Sequence, residues 1–415
     1  MSKKLSTESY KGVRDFYPKD QALLNYIIAT WRGVAEKFGY VEYGASILEP
    51  SELYKAKGVE NEEIVNEQTY TFTDRGEREV TLRPEMTPTV ARMVAGKRRE
   101  LGYPLRWYSV PNCFRYERPQ RGRLREFWQF NADLFGSRSP MADAELIAMS
   151  YEMMKAFGAS DSDFVIKLGS RSYLDSIANQ YTLSQEQVKA LTALLDKRAK
   201  MSAEEFDKAW AMFNIPASVL GADAVPADVA ETLRLLGSMG VANAQFDPSV
   251  VRGFAYYTGV VFEVFDTNPD NNRALFGGGR YDNLTELFDN EPLPGIGFGM
   301  GDETIRLFME VRGLIPPYIP PVQAYVALAS AEVLPEATQL VQELRRAGVA
   351  VAQDFGERKL GDQLKAASKQ QIPYVIIVGP DELMAGAFTV RNLATGTEDH
   401  VGREQLVPYF AALKL

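Results

Sequence analysis

Five arginines fall within a few turns of chain, at Arg115, Arg118, Arg121, Arg123 and Arg125, and only Glu117 and Glu126 oppose them there. The stretch 115–126 therefore carries a formal charge of +3. Guanidinium groups at this density suit phosphate oxygens, which they meet with paired N–H donors. The run that follows, EFWQFNADLFG, has the period of a strand. That period puts Trp128, Phe130, Ala132 and Leu134 on one face and Phe127, Gln129, Asn131 and Asp133 on the other. The first set is a core face. The second offers an aromatic ring, an amide and a carboxylate, which can stack on a base and bind a polar ligand. An arginine-rich loop taken alone reads more readily as a solvated hairpin tip.

Three further segments carry groups of the same kind. TLRPEMTPT places Glu85 and Thr87 near each other, and a carboxylate is the natural partner of an ammonium group, or of an arginine in a buried structural pair. VRGFAYYTGVVFE offers Arg252 beside the tandem Tyr256 and Tyr257, and GGGRYD brings Tyr281 next to glycines that permit close backbone approach. Other chemistries are excluded by composition. One cysteine, Cys113, cannot form an internal disulfide, and with the one histidine, His400, it cannot build a Cys/His zinc site. A lone histidine in the polar run GTEDHVGREQ also leaves little room for a Ser-His-Asp triad, so no metal site and no histidine base is expected. The net charge of -9 argues against a globally basic coat but allows a local basic surface.

These groups need elements to hold them. Leu24, Ile27, Ile28, Trp31 and Val34 recur at helical spacing, and Gly39 stands where that helix would close. ILEPSELY and then YTFTDRGEREVTLRPE, with a turn at 74–77, read as antiparallel sheet, and a helix near 88–99 leads into the arginine-rich strands. Residues 177–245 turn helical and polar, then strands return at VRGFAYYTGVVFEVFD, FGGGRYD and GIGFGMGDETIRLF. LIPPYIPPV, with four prolines, reads as a semi-rigid linker. Beyond it AYVALAS, VAVAQDF and YVIIVG alternate with helical segments, which predicts a small α/β domain. The expected division is a core in two parts, 1–177 and 248–313, around a helical insertion at 178–247, then a linker at 314–322 and a last domain at 323–415. The start of the chain has no apolar run and no segment approaches a membrane span, so the expectation is a cytoplasmic protein.

FRYERPQRGRLREFWQFNADLFG resembles motif 2 of the class II aminoacyl-tRNA synthetases, and its RxERPQxGRxRxFxQ form is similar to that of histidyl-tRNA synthetases. TLRPEMTPT, RGFAYYTG, GGGRYD and the C-terminal α/β unit resemble other parts of the same family, and GVRDFYP and ILEPSELY resemble its N-terminal segment and motif 1. The resemblance implies an α+β fold: the class II antiparallel-sheet catalytic core with a helical insertion, followed by a small α/β anticodon-binding domain. It implies ATP with Mg²⁺, L-histidine and tRNA-His as substrates and partners, and a homodimer with Pro50 at its interface. By the same resemblance Arg115 and Arg252 act at the α-phosphate as the catalytic pair. Glu117, Arg123 and Phe127 bind ATP with Arg115. Glu85, Thr87, Gln129, Asp133, Tyr256, Tyr257 and Tyr281 form the histidine pocket, and Gln120 faces the tRNA acceptor stem.

Two positions depart from the pattern. Ala255 stands where the family's signature loop usually has an acidic residue, and Thr304 stands where motif 3 carries an arginine for the ATP γ-phosphate. Arg306 lies two residues on, roughly 200° around a helix, and is a poor geometric substitute. The rival expectation is a non-catalytic, histidine-sensing paralogue like the regulatory subunit of ATP phosphoribosyltransferase; a tRNA-binding module without activation chemistry is a third.

Overall fold

The computed structural model describes residues 4–56, 67–198, 201–216, 219, 225–252, 256–271, 273–289, 291–356 and 358–413. They form two compact units, Met1–Pro316 and Pro317–Leu415.

The first unit is built on a sheet whose strands, among the described residues, are β1 (Val41–Glu42), β5 (Leu105–Ser109), β6 (Asn112–Phe114), β7 (Glu126–Phe135), β8 (Phe164–Ser170), β9 (Ala244–Phe246), β10 (Val260–Asp266), β11 (Ala274–Arg280) and β12 (Gly295–Gly301). Their order is β1-β5-β7-β12-β11-β10-β8-β9, with β6 pairing with β7 off that path. The sheet is antiparallel except for the edge pairs β1/β5 and β8/β9. A separate three-stranded sheet holds β2 (Leu48–Pro50), β3 (Tyr70–Thr73) and β4 (Glu79–Leu82) in the order β2-β4-β3.

The two faces of the large sheet do different things. On one, Phe130, Ala132 and Leu134 of β7, Phe262 of β10 and Ile296, Phe298 and Met300 of β12 pack against helices. The helices are Pro18–Lys37, through Ile27, Trp31 and Val34, Pro140–Ala156, through Leu146 and Ile147, and Asp302–Arg312, through Ile305 and Phe308. The first has the predicted apolar stripe and ends before Gly39, whose φ of 78° only glycine adopts cheaply. The other face carries Phe135, Val261, Tyr256, Tyr257 and Tyr281 with Val90, Ala91 and Val94 of the helix Thr87–Lys97. Alternation along β7 thus sends one set of residues to the core and the next set to the open face.

The helical stretch has a small core of its own, including Leu174, Leu191, Phe206, Trp210 and Ile215. Its last helix, Ala227–Ser238, instead contributes Val229 and Leu236 to the main core.

In the second unit β13 (Ala324–Leu328) runs parallel to β14 (Val351–Gln353) and β15 (Tyr374–Val378), and β16 (Ala387–Asn392) and β17 (Glu398–Gly402) extend the sheet antiparallel. The helix Leu334–Arg346 covers one face through Ala337, Leu340, Val341 and Leu344. The helix Leu360–Lys369 contributes Ala367 to a cluster with Tyr325, Ala327 and Val375. The β16/β17 hairpin was not among the sequence expectations, and His400, placed by its polar surroundings, lies on β17 opposite Thr389. Among the described residues no helix is long and apolar enough to cross a membrane.

Candidate active site

A cavity of about 360 Å³ opens on the free face of the large sheet, over β7, β11 and β12. Its floor follows from one sequence feature. In GIGFGMG of β12 the even-numbered residues Ile296, Phe298 and Met300 enter the core, so Gly297, Gly299 and Gly301 face the cavity. A Cβ at Gly297 would sit 2.4 Å from Asp133 Oδ1, and one at Gly299 would sit 1.9 Å from Gln129 Nε2. Both glycines therefore make room for neighbouring functional side chains.

Of the residues assigned roles from the sequence, Glu85, Thr87, Arg115, Glu117, Arg123, Phe127, Gln129, Arg252, Tyr256, Tyr257 and Tyr281 all line this cavity. Asp133 does not; it lies one layer beneath, where its Oδ1 accepts a hydrogen bond from the Tyr281 hydroxyl. Gln120 is also off the cavity wall. It is exposed in a tight turn, exchanging backbone hydrogen bonds with Arg123 at 3.1 and 2.9 Å. Ala255 lies outside the described residues.

The phosphate-seeking side is held as follows. Arg115 follows β6, and its Nε donates to the Pro84 carbonyl at 3.0 Å, which leaves the guanidinium 5.3 Å from the Phe127 ring centre. Arg123 is half exposed, and its guanidinium faces the Glu117 carboxylate at 3.5 Å. Arg252 donates to Glu263 at 3.0 Å and lies 5.9 Å from the Tyr257 ring centre, while its Nε is buried without a hydrogen-bond partner. Its φ is 50°, a left-handed conformation costing a non-glycine residue roughly 1–3 kcal/mol.

Buried carboxyl groups stand near these arginines. Glu85, 6% exposed, accepts from the Tyr256 hydroxyl at 3.1 Å. Burial pushes its carboxyl up to about 7, against the opposing pull of Arg115, Tyr256 and Arg252. No ion pair to an arginine is formed there among the described residues, so a buried structural pair is not what holds Glu85. Asp133, 3% exposed, is also pushed up to about 7 by burial, and its Oδ2 has no hydrogen-bond partner. Tyr281 is fixed through its backbone N–H to Gly295 at 2.8 Å. The preceding Arg280 anchors the end of β11 by pairing with buried Asp143 at 2.8 Å.

At the departing motif 3 position, Thr304 reaches the cavity and donates to the Gly301 carbonyl at 3.0 Å. Arg306 does not reach it; Glu303 holds its guanidinium at 2.9 Å and Glu310 at 3.1 Å. Glu303 is held in turn by Arg14 at 2.8 Å. Three polar side chains of the cavity had no role from the sequence: Gln68, Asn131 and Glu303. Only Asn131 was signalled, by its place on the same strand face as Gln129.

A family model described as histidyl-tRNA synthetase matches residues 12–214 and 214–305, and one described as anticodon binding domain matches residues 323–413. The chain belongs to the histidyl-tRNA synthetase family. A histidine--tRNA ligase of Leptospira biflexa is 40% identical over 415 residues, with 94% of each chain covered. One of Thermoplasma volcanium is 35% identical over 428 residues, covering 98% of each. The fold agrees with the family: a solved histidyl-tRNA synthetase of a Nostoc species superposes with a TM-score of 0.82 at 24% identity, covering 99% of this chain and all of that one. A Bacillus halodurans protein described as an ATP phosphoribosyltransferase regulatory subunit/histidyl-tRNA synthetase has a TM-score of 0.71 at 25% identity, covering 91% and 100%. The α+β class II architecture expected of this synthetase family is thus the one observed.

Proposed function

We propose that this chain is a histidine--tRNA ligase, which joins L-histidine to ATP as histidyl-adenylate and then transfers the histidyl group to tRNA-His. The observation that carries the reading is the polarity of one cavity. Arg115, Arg123 and Arg252 supply cations for a triphosphate, and buried Glu85 with Tyr256, Tyr257 and Tyr281, the last seated on Asp133, supply acceptors and donors for a small cationic, imidazole-bearing ligand. Phe127 offers a ring for adenine to stack on, and Glu117 an acceptor at its edge.

In the first step a carboxylate oxygen of histidine attacks the α-phosphorus, the bond to the bridging oxygen breaks, and pyrophosphate leaves. In this reading Arg115 and Arg252 hold the α-phosphate oxygens as charge gathers there. In the second step a terminal ribose hydroxyl of tRNA attacks the acyl carbon, AMP leaves, and a phosphate oxygen takes the hydroxyl proton. Neither step needs a protein imidazole, which suits a chain whose one histidine belongs to the second unit. Glu85 and Thr87 take the substrate ammonium, and Tyr257 and Tyr281, the latter oriented by Asp133 beneath it, take the imidazole. Gln120, at the exposed turn, is assigned to the acceptor stem.

Mg²⁺ is proposed as the counter-ion of ATP rather than a resident metal. Glu303, a carboxylate of the cavity, is engaged by Arg14 and Arg306. The core-and-insertion division, with 323–415 as the anticodon-binding domain, belongs to the same proposal. So do a cytoplasmic location and a homodimer, the latter supported by exposed Val41, Leu48 and Phe72 around the motif 1 strands. Thr304 favours the regulatory reading. ATP–pyrophosphate exchange assayed against every amino acid decides between them: exchange with histidine alone is expected, and none with any amino acid would overturn the proposal.

A further inference from the structure

We propose that Asn131 sets the polarity of the Gln129 side chain, turning Gln129 Oε1 into the cavity as a neutral acceptor for the substrate ammonium group. This rests on the histidine-pocket reading above. Asn131 is 5% exposed yet forms part of the cavity wall, and it belongs to the same face of β7 as Gln129.

The inference follows from which atoms can donate. Asn131 Nδ2 donates to the backbone carbonyl of Gln129 at 3.1 Å. A carbonyl oxygen only accepts, so the Asn131 atom facing it must be its nitrogen. The orientation of the Asn131 amide is thereby fixed, and its Oδ1 is turned to the Gln129 side chain at 3.1 Å. That oxygen also only accepts, so the Gln129 atom beside it must be Nε2. Nε2 keeps one further N–H, and Oε1 is the acceptor that Gln129 has left for the cavity.

Gly299, across on β12, is the second condition. The Gln129 amide occupies the place a side chain would take there, with Nε2 only 1.9 Å from where a Cβ would stand. An ammonium offers three donors and accepts nothing. A Gln129 turned the other way would point N–H at N–H. Glu85 and Thr87 supply two acceptors, and the oriented amide supplies a third without burying another charge in a dry site.

The role is tested by comparing L-histidine with imidazolepropionate, which keeps the ring and carboxylate but lacks the ammonium. Dissociation constants for both are measured by calorimetry on the full chain. In Asn131→Ala the preference for L-histidine over the analogue is expected to fall about tenfold, with analogue binding within twofold of wild type. Asn131→Ser carries the same expectation should the alanine variant not fold. In the double variant Asn131→Ala/Gln129→Glu, where an oxygen faces the cavity whichever way the side chain turns, the preference is expected to return. Proportionate weakening of both ligands in the single variants, or no change in either, would overturn the role of Asn131. Failure of the wild-type chain to bind L-histidine would instead overturn the pocket reading beneath it.

Discussion

Glu85 should make the protein less stable the better it is prepared for its ligand, and replacing it with glutamine should expose that cost. Burial raises its carboxyl from an ordinary 4.5 to about 7. Between those values the folded protein keeps a proton that the unfolded chain gives up, so stability falls as pH rises through that window. A tenfold difference in proton affinity between the two states corresponds to about 1.4 kcal/mol, so the full cost, reached above pH 7, is about 3 kcal/mol. Glutamine fills the same space and has no charge to bury. Glu85→Gln should therefore be favoured over wild type by about 1 kcal/mol at pH 5 and about 3 kcal/mol at pH 8. Urea unfolding followed by the fluorescence of Trp31, Trp107, Trp128 and Trp210, all in the first unit, measures both differences. Saturating L-histidine should stabilise wild type and leave the variant unchanged, because ligand binding to the folded state adds stability only where the ligand still binds. Equal differences at the two pH values would refute the reasoning, since an uncharged cause has no pH dependence.

Arg252→Ala should abolish histidine-dependent pyrophosphate exchange while circular dichroism stays that of wild type; near-normal exchange would remove its place at the α-phosphate. Gly299→Ala should raise the KM for histidine at least tenfold, because a Cβ there would displace the Gln129 amide from 1.9 Å away; an unchanged KM would mean the amide does not act in binding. Arg123→Ala should raise the KM for ATP roughly tenfold to a hundredfold, the range expected for losing a hydrogen bond to a charged group. Arg306→Ala, whose guanidinium is held by Glu303 and Glu310, should leave the KM for ATP within twofold. The reverse order in the two arginine variants would reassign the triphosphate contact.

Local periodicity made much of this legible. The two-residue alternation of β7 is enough by itself to separate Phe130, Ala132 and Leu134 from Phe127, Gln129 and Asn131, because a strand has only two faces. Depth is different. Asp133 shares the face of Gln129 but sits beneath Tyr281, and that layering depends on the register of β7 against β12, where Asp133 is opposite Gly297. Long-range pairing of this kind leaves no mark in the strand's own pattern. Gln120 shares its loop with the cavity residue Arg123, yet the tight turn between them holds it off the wall. The β16/β17 hairpin was missed because EDHVG is almost wholly polar and exposed, so it lacks the apolar alternation that marks a half-buried strand.

The arginines also bear on whether the cavity serves catalysis or histidine sensing alone. A sensor needs Glu85, the tyrosines and one cation for the histidine carboxylate, and gains nothing from further cations suited to a triphosphate. Arg306 and Arg14 are spent on structure, each tied by short ion pairs to the acidic start of the helix Asp302–Arg312. Arg123 is not: it is half exposed, with a longer contact to Glu117 at 3.5 Å, a geometry that contributes little to stability. Ordering a long charged side chain there brings the folded chain little return by itself, whereas a triphosphate would give it several strong acceptors. With Thr304 offering no charge, Arg123 is the cavity arginine least committed to the fold, and its loss should weaken ATP binding before it weakens histidine binding.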